Sequence, residues 1–293
     1  MISTTSAKSI AIASDENFVT KRRHKISWRL WLPLIVLAFW VVAAIGARWL
    51  APYPANAINP NAALQPPSWA HWCGTDQLGR DILSRILYGA RDALVIAVGS
   101  VGLGASVGTI LGLWAGYGGH SAEWIIMRIT DILLAIPSIV IAMVVITILG
   151  AGVPDLILAI GMSEVPIFIR LSRGSTLAIK SMPYVEAALA SGASSWRIVL
   201  SHLLRNLVGT LLVLATIDMG ASILAVAGLT FIGLGPPPPK PEWGAMITQA
   251  QQYIPQDWWM AVFPGLAIIS AVLSLNIAAD EWQKFIDPGR LNN

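Results

Sequence analysis

Charge is scarce in this chain: Asp, Glu, Lys and Arg make up 12% of its 293 residues, about half the share of an ordinary soluble domain. With 55% hydrophobic residues besides, the sequence excludes a water-soluble fold and reads as an all-α protein crossing the membrane several times. Cysteine is rarer still. The single Cys73 excludes an internal disulfide and any multi-cysteine metal centre, and reads as an unpaired loop residue. The four histidines, His24, His71, His120 and His202, are far apart and fall on both sides of the expected membrane, so no metal or cofactor site is expected. No Ser-His-Asp set carries a local signature. Gly174–Ser181 ends in Lys-Ser like a phosphate-binding loop, but Ile179 stands where glycine must precede the lysine. An enzyme reading has no residues to rest on.

Long apolar runs are what the chain has. Six of them, Leu30–Leu50, Ala93–Tyr117, Ile125–Gly150, Val153–Leu171, Val208–Leu234 and Trp258–Ala279, are each near the ~20 residues that carry a helix across the hydrocarbon. The basic cluster Lys21-Arg22-Arg23-His24-Lys25 precedes the first. A signal peptide has the same order, with Ala44-Ile45-Gly46 as its cleavage site; the length of the run and the spans that follow favour an uncleaved first helix. With the N-terminus inside, only Arg48, Arg80, Arg85, Arg91 and Lys240 of the 19 Lys and Arg fall outside, in keeping with the positive-inside rule. The expected organisation is a cytoplasmic tail 1–28, a first transmembrane helix 29–50, an outer loop 51–92, a core 91–280 containing a cytoplasmic loop 172–206, and a cytoplasmic tail 281–293.

Several local features stand out. Gly104, Gly108, Gly112 and Gly116 recur every four residues, a column of small residues that lets a neighbouring helix approach closely; a glycine-lined pore wall is the functional alternative. Arg128 and Asp131 lie one turn apart and read as a structural ion pair. Pro137 weakens the third span near mid-depth. Two acids sit in apolar runs, where an ionisable group is functional by default. Glu164 is read as near Arg170 and the cytoplasmic boundary, so structural; Asp218, deeper in its helix, is the candidate for lining a translocation pathway. The stretch Gly235–Lys240 is a stiff proline run leading to Trp243, which is expected at the interface.

Two stretches carry more specific patterns. In the outer loop, Gly74-Thr75-Asp76-Gln77-Leu78-Gly79-Arg80-Asp81-Ile82-Leu83-Ser84-Arg85 places Ile82, Leu83, Ile86 and Leu87 at helical spacing. On physical grounds it is a short amphipathic helix at the outer interface, with an ordinary Asp81–Arg85 pair. On the cytoplasmic side, Tyr184–Asn206 is a small and polar island between apolar runs. Ala187 and Ala188 favour helix after Glu186, and Gly192 favours a turn or C-cap. The island is either a solvated basic loop or a surface seated in a partner's groove.

Taken together, these motifs resemble the DppC/OppC-like permeases of the peptide/nickel ABC importer family over about residues 70–290. The resemblance rests on Gly74, Thr75, Asp76, Gly79, Arg80, Asp81, Ser84 and Arg85; on Tyr117-Gly118-Gly119, Met127-Arg128-x-x-Asp131 and Pro137-Ser138; on Glu186-Ala187-Ala188 with Gly192; and on Ala227–Gly235 followed by Pro241-x-x-Gly244, Leu275-Asn276-Ile277 and Asp287-Pro288. Two departures are plain: Val226 replaces a common acid, and Leu203-Leu204-Arg205 lacks the usual proline.

The resemblance implies a type I importer (MetI-like) permease with six transmembrane helices in the bacterial inner membrane, both termini cytoplasmic. It implies a second homologous permease, two ATP-binding subunits carrying ATP and Mg, and an extracytoplasmic binding protein, with lipid but not nucleic acid as further partner. Glu186, Ala187, Ala188 and Gly192 would then form the coupling helix. Peptides are the first expected substrate. Leu211–Asp218 with Val226-Ala227-Gly228 is similar to the nickel branch, which keeps nickel or a chelate as the second. The rivals of other classes are a proton-coupled secondary transporter using Glu164 or Asp218, and a scaffold subunit without a pathway.

Overall fold

The computed structural model describes residues 31–286; the basic cluster at 21–25, the tail 1–28 and Asp287-Pro288 lie outside them. Among the described residues the regular elements are helices. They are α1 (Trp31–Leu50), α2 (Ile82–Tyr117), α3 (His120–Leu134), α4 (Ser138–Leu149), α5 (Val153–Lys180), α6 (Pro183–Ala190), α7 (Ser195–Ile198), α8 (Arg205–Phe231), α9 (Trp243–Ala250) and α10 (Trp259–Ile286). A π-helical stretch, Val199–Leu204, joins α7 to α8 without a turn, so the missing proline at Arg205 leaves the helix continuous.

Start signals in the sequence set several boundaries. The Asp81 side chain accepts from the Ser84 amide at 2.8 Å and opens α2. Asp155 reaches back to the Gly152 amide at 3.0 Å at the start of α5, beside Pro154. Glu242 accepts from the Gly244 and Ala245 amides at 2.9 and 2.7 Å and opens α9.

α2 and α5 form the spine of the bundle. A constant offset of 60 positions sets Gly104 against Glu164, Gly108 against Phe168, Gly112 against Ser172 and Gly116 against Thr176, so the two helices run parallel in contact over about 18 Å. A Cβ at Gly112 would stand 2.5 Å from Ser172 Cβ and 2.7 Å from the Ile169 carbonyl, and one at Gly108 2.7 Å from the Val165 carbonyl. The glycine column is therefore a packing seam. α8 packs across both helices, and α10, α9 and α1 close one side around Trp40, Ala43, Ala90, Ala97, Trp243, Ala271 and Leu275. Trp40 ties α1 to α10 through Ser270 Oγ at 3.1 Å.

Two expectations change here, at the start of α2 and at Pro137. α1, α2, Ser195–Phe231 and α10 are long and apolar enough to cross a membrane, and α3 with α4 makes up to five spans. α5, though ~42 Å long, does not qualify by composition, because Asp155, Glu164, Arg170 and Arg173 fall along its apolar run; Glu164 is buried in the bundle with Ser163, Ser172 and Thr176. The amphipathic segment is not a separate interfacial helix. It is the first turns of the 36-residue α2, with Ile82, Ile86 and Leu87 buried beneath Trp243 and Trp259. Pro137 breaks its span rather than weakening it, and α3 and α4 meet at 90°; proline has no amide to continue the ladder.

Candidate functional site: coupling surface and outer clamp

The island folds as a small platform. α6 ends in a Schellman cap: the Gly192 amide donates to Leu189 O at 2.9 Å and the Ala193 amide to Ala188 O at 3.0 Å. Gly192 takes φ +82°, open to glycine, and a Cβ there would meet nothing within 4 Å. The demand for glycine thus comes from the backbone and from whatever covers this surface, not from packing within the chain. Beneath the platform Val185, Ile198, Leu203 and Leu207 are fully buried with Leu113 of α2, and Ala188, Ala193 and Tyr117 pack against them. Above it Glu186, Ala187 and Gly192 are exposed, beside Tyr184, Leu189 and Trp196, the last 71% exposed. Gly174–Ser181, the segment with a phosphate-loop look, lies within and just past the end of α5 and has no loop to wrap a phosphate.

At the other end of α2 the signature residues fold into a clamp. Asp76 accepts from Arg80 Nε at 2.6 Å and from the Leu78 and Arg80 amides at 2.9 and 3.0 Å. Arg80 Nη2 continues to Gln249 of α9 at 3.1 Å. Asp81 binds Ser84 Oγ at 2.7 Å and His71 Nδ1 at 2.9 Å. The expected Asp81–Arg85 pair is therefore absent, because Asp81 is used as a cap; Arg85 instead donates to Ala55 O at 3.2 Å and lies 3.8 Å from Asp76. Thr75 Oγ1 donates to Ala62 O at 2.5 Å, and the Thr75 carbonyl accepts from Trp259 Nε1 at 3.2 Å. Gly74 and Gly79 take φ of +74° and +71°, with no room for a side chain against Trp259 and the Asn59 carbonyl. Trp243, expected at the interface, is buried, its Nε1 on the Ile86 carbonyl at 3.0 Å and its ring edge-on to Trp40. Burial holds the Glu242 carboxyl above its ordinary range despite the two amides it accepts from.

Between the two ends lies a buried polar knot. Ser222 Oγ is 2.6 Å from Glu164 Oε1, 2.8 Å from the Asp218 carbonyl and 3.2 Å from Ser100 Oγ. Among the described residues, Glu164 Oε2 and Asp218 Oδ2 are buried without a hydrogen-bond partner. Glu164 is thus not a boundary residue near Arg170; it stands mid-helix, about 9 Å along α5 from it, and joins α5 to α8. Arg170 pairs with Asp131 at 2.6 Å, so the expected Arg128–Asp131 pair is replaced by a link between α3 and α5, and Arg128 lies over the Trp124 ring. Arg173 likewise holds Glu123, its Nε at 2.9 Å.

Residues 108–292 match the family described as the binding-protein-dependent transport system inner membrane component. The chain belongs to that family. It is similar to the probable D,D-dipeptide transport system permease protein DdpC of Escherichia coli K12, with 39% identity over 87% of this chain and 85% of that one. The glutathione transport system permease protein GsiD of Pectobacterium atrosepticum is 42% identical over 88% of this chain and 84% of that one. The di/tripeptide transport system permease protein DppC of Pseudomonas aeruginosa is 38% identical over 95% and 96%. Among solved structures, a chain of the inward-facing MetNI methionine ABC transporter superposes with TM-score 0.57 at 20% identity, covering 70% of this chain and 97% of that one. That likeness shows the fold. Membership of this family displaces the secondary-transporter reading of Glu164 and Asp218.

Sequence reasoning passed over Gln249, Ser222, Ser100 and Trp259. Ser100, Ser222 and Trp259 are unremarkable residues in apolar runs and Gln249 lies in the polar stretch between the last two runs, and the role of each comes from a partner far away in sequence. His71 offered a signal, ten residues before an acid that opens a helix, but no local rule pairs them.

Proposed function

We propose that this permease subunit takes up small peptides across the bacterial inner membrane, both termini cytoplasmic, in partnership with a second permease, a binding protein and two ATP-binding subunits. ATP and Mg belong to those last subunits, and this chain transmits their closure. The observation that carries the reading is the platform of α6 and Gly192: exposed on its outer face, where Tyr184, Leu189 and Trp196 stand beside Glu186, and packed on its inner face. A groove closing on that outer face pushes Val185 and Ile198 against Leu113 and so moves α2, which the glycine seam couples to α5. The core 91–280 with its loop 172–206 is the moving unit, and Asp218, beside the Ser222 knot, is the candidate for lining the pathway. The peptide class follows the relatives, named for dipeptides, tripeptides and glutathione; nickel has no such support.

The test is a disulfide cross-link from Glu186→Cys, in a Cys73→Ser background, to cysteines in the cleft of the ATP-binding subunit. Cross-linking that changes between nucleotide-free and ATP-bound transporter is the expected result. A surface that never cross-links while uptake is intact removes the coupling role. Uptake of labelled dipeptides, glutathione and Ni²⁺ by the assembled transporter decides the substrate class.

A further inference from the structure

From Trp49 to Thr75 the chain carries no Asp, Glu, Lys or Arg; the nearest charges are Arg48 and Asp76. A soluble surface of that length would carry about seven. The stretch contains Trp49, Tyr53, Trp69 and Trp72, and the last two stand out from it, 96% and 68% exposed. They sit on a tight turn that is held in place. The Ser68 amide donates to His71 O at 2.8 Å, and the His71 amide returns to Ser68 Oγ at 3.2 Å. Tyr53 Oη donates to the Ala70 carbonyl at 3.0 Å and its ring lies 4.8 Å from that of His71, which is itself fixed by Asp81. Two large indoles are thus presented to the outside on a rigid support.

Where that support stands decides what covers it. Tyr53 follows Leu50, the last residue of α1, by three positions, a reach of at most ~10 Å. α1 is apolar enough to span the bilayer and shows lipid an exposed face of Ile35, Phe39, Val42, Ile45 and Trp49. The turn therefore continues that face at the level where hydrocarbon gives way to headgroups. Indoles, apolar with one N–H donor, favour that layer, and a surface free of charge suits it better than water. We propose that the Pro66–Trp72 turn is an interfacial anchor whose Trp69 and Trp72 seat in the headgroup and glycerol layer of phospholipid at the outer-loop end of α1. Through His71 and Asp81 the anchor ties the start of α2 to the bilayer surface.

The test uses the assembled transporter in nanodiscs of phosphatidylethanolamine and phosphatidylglycerol. Spin labels are placed at Trp69→Cys and Trp72→Cys in a Cys73→Ser background, with Trp49→Cys and the exposed Lys240→Cys as lipid and water references. The expected ratio of oxygen to nickel-chelate collision is several-fold above that at 240 and close to that at 49. A ratio equal to that at 240 overturns the proposal. So does a water-exposed label that becomes protected only when the binding protein is added, which would make the turn a protein-docking tip. A phospholipid with a photoreactive group near its headgroup repeats the test on the unaltered chain. Cross-links at Trp69 or Trp72 are expected; cross-links at Trp49 with none on the turn would refute the anchor.

Discussion

In the clamp Asp76, Arg80, Asp81, Ser84 and Arg85 are buried and engaged with one another or with α9 and the preceding loop, whereas at the opposite end of α2 the α6–α7 segment turns Glu186, Ala187, Gly192 and Trp196 outward above a small apolar seat. The clamp is held by hydrogen bonds within this chain, although Arg85 Nη2 and Gln77 Oε1 are buried without a partner among the described residues. The platform keeps its shape through Val185, Ile198, Leu203 and one cap, and leaves its most conspicuous side chains unused. One end of the bundle is held internally and the other presents an exposed surface, the one on which the proposed coupling would act.

The difference breaks most visibly at Asp76. Asp76→Ala leaves Arg80 and Arg85 buried without their carboxylate, a loss of about 3–5 kcal/mol; the expected result is a large fall in melting temperature and in transporter recovered from membranes. An unchanged melting curve would show that the clamp is not the firm end. A matched glycine pair sharpens the contrast. Gly79→Val collides with the Asn59 carbonyl and should prevent accumulation of folded protein, while Gly192→Val meets open space and loses only ~1–2 kcal/mol to its left-handed backbone. The second variant should assemble and melt close to the parent yet lose substrate-stimulated ATP hydrolysis. If its stability falls as far as that of the first, the platform is a folding element instead.

A smaller effect is expected at Gln249→Ala, which removes the hydrogen bond from Arg80 between clamp and α9 and should lower stability by roughly 1.5–3 kcal/mol, read from chemical denaturation in detergent. Glu186→Ala, exposed and unbonded, should leave stability unchanged and alter only coupling. Least of all, the clamp shields Cys73. Burial and the nearby Asp81 push its thiol up to about 11, and the thiolate is the reactive form. Its maleimide reaction should therefore be slow near neutral pH and accelerate as pH rises toward 11. A rate equal to that of an exposed thiol would show that the clamp opens readily.

Much of this was legible because it depends on neighbours in sequence. The four-residue glycine period announces a packing seam, and Gly192 after Ala187-Ala188 announces a cap, whereas Pro137 announced only a weak point where the span in fact breaks; each rule operates within one helix or turn. The misreadings fall where a local partner and a distant one compete. Arg128 is one turn from Asp131, yet Arg170 takes the acid; Arg85 is one turn from Asp81, yet Ser84 and His71 do. Exposed pairs within a helix contribute only a few tenths of a kcal/mol, so a cap or an inter-helix bond outweighs them. Glu164 was misplaced for a related reason: hydropathy gives depth only to within a turn or two, and the polar face of α5 shortened its apparent span.

By itself the sequence determined that the chain lies in a membrane, roughly where its apolar runs lie, and which stretches carry its motifs, since chain hydropathy and backbone preference are local properties. Only the tertiary structure decided that the glycine column meets α5 in parallel register, that Gln249 and Trp259 complete the clamp, and that Glu164 and Asp218 share one buried knot. Those depend on which faces of distant helices meet, and close packing fixes that for the whole chain at once.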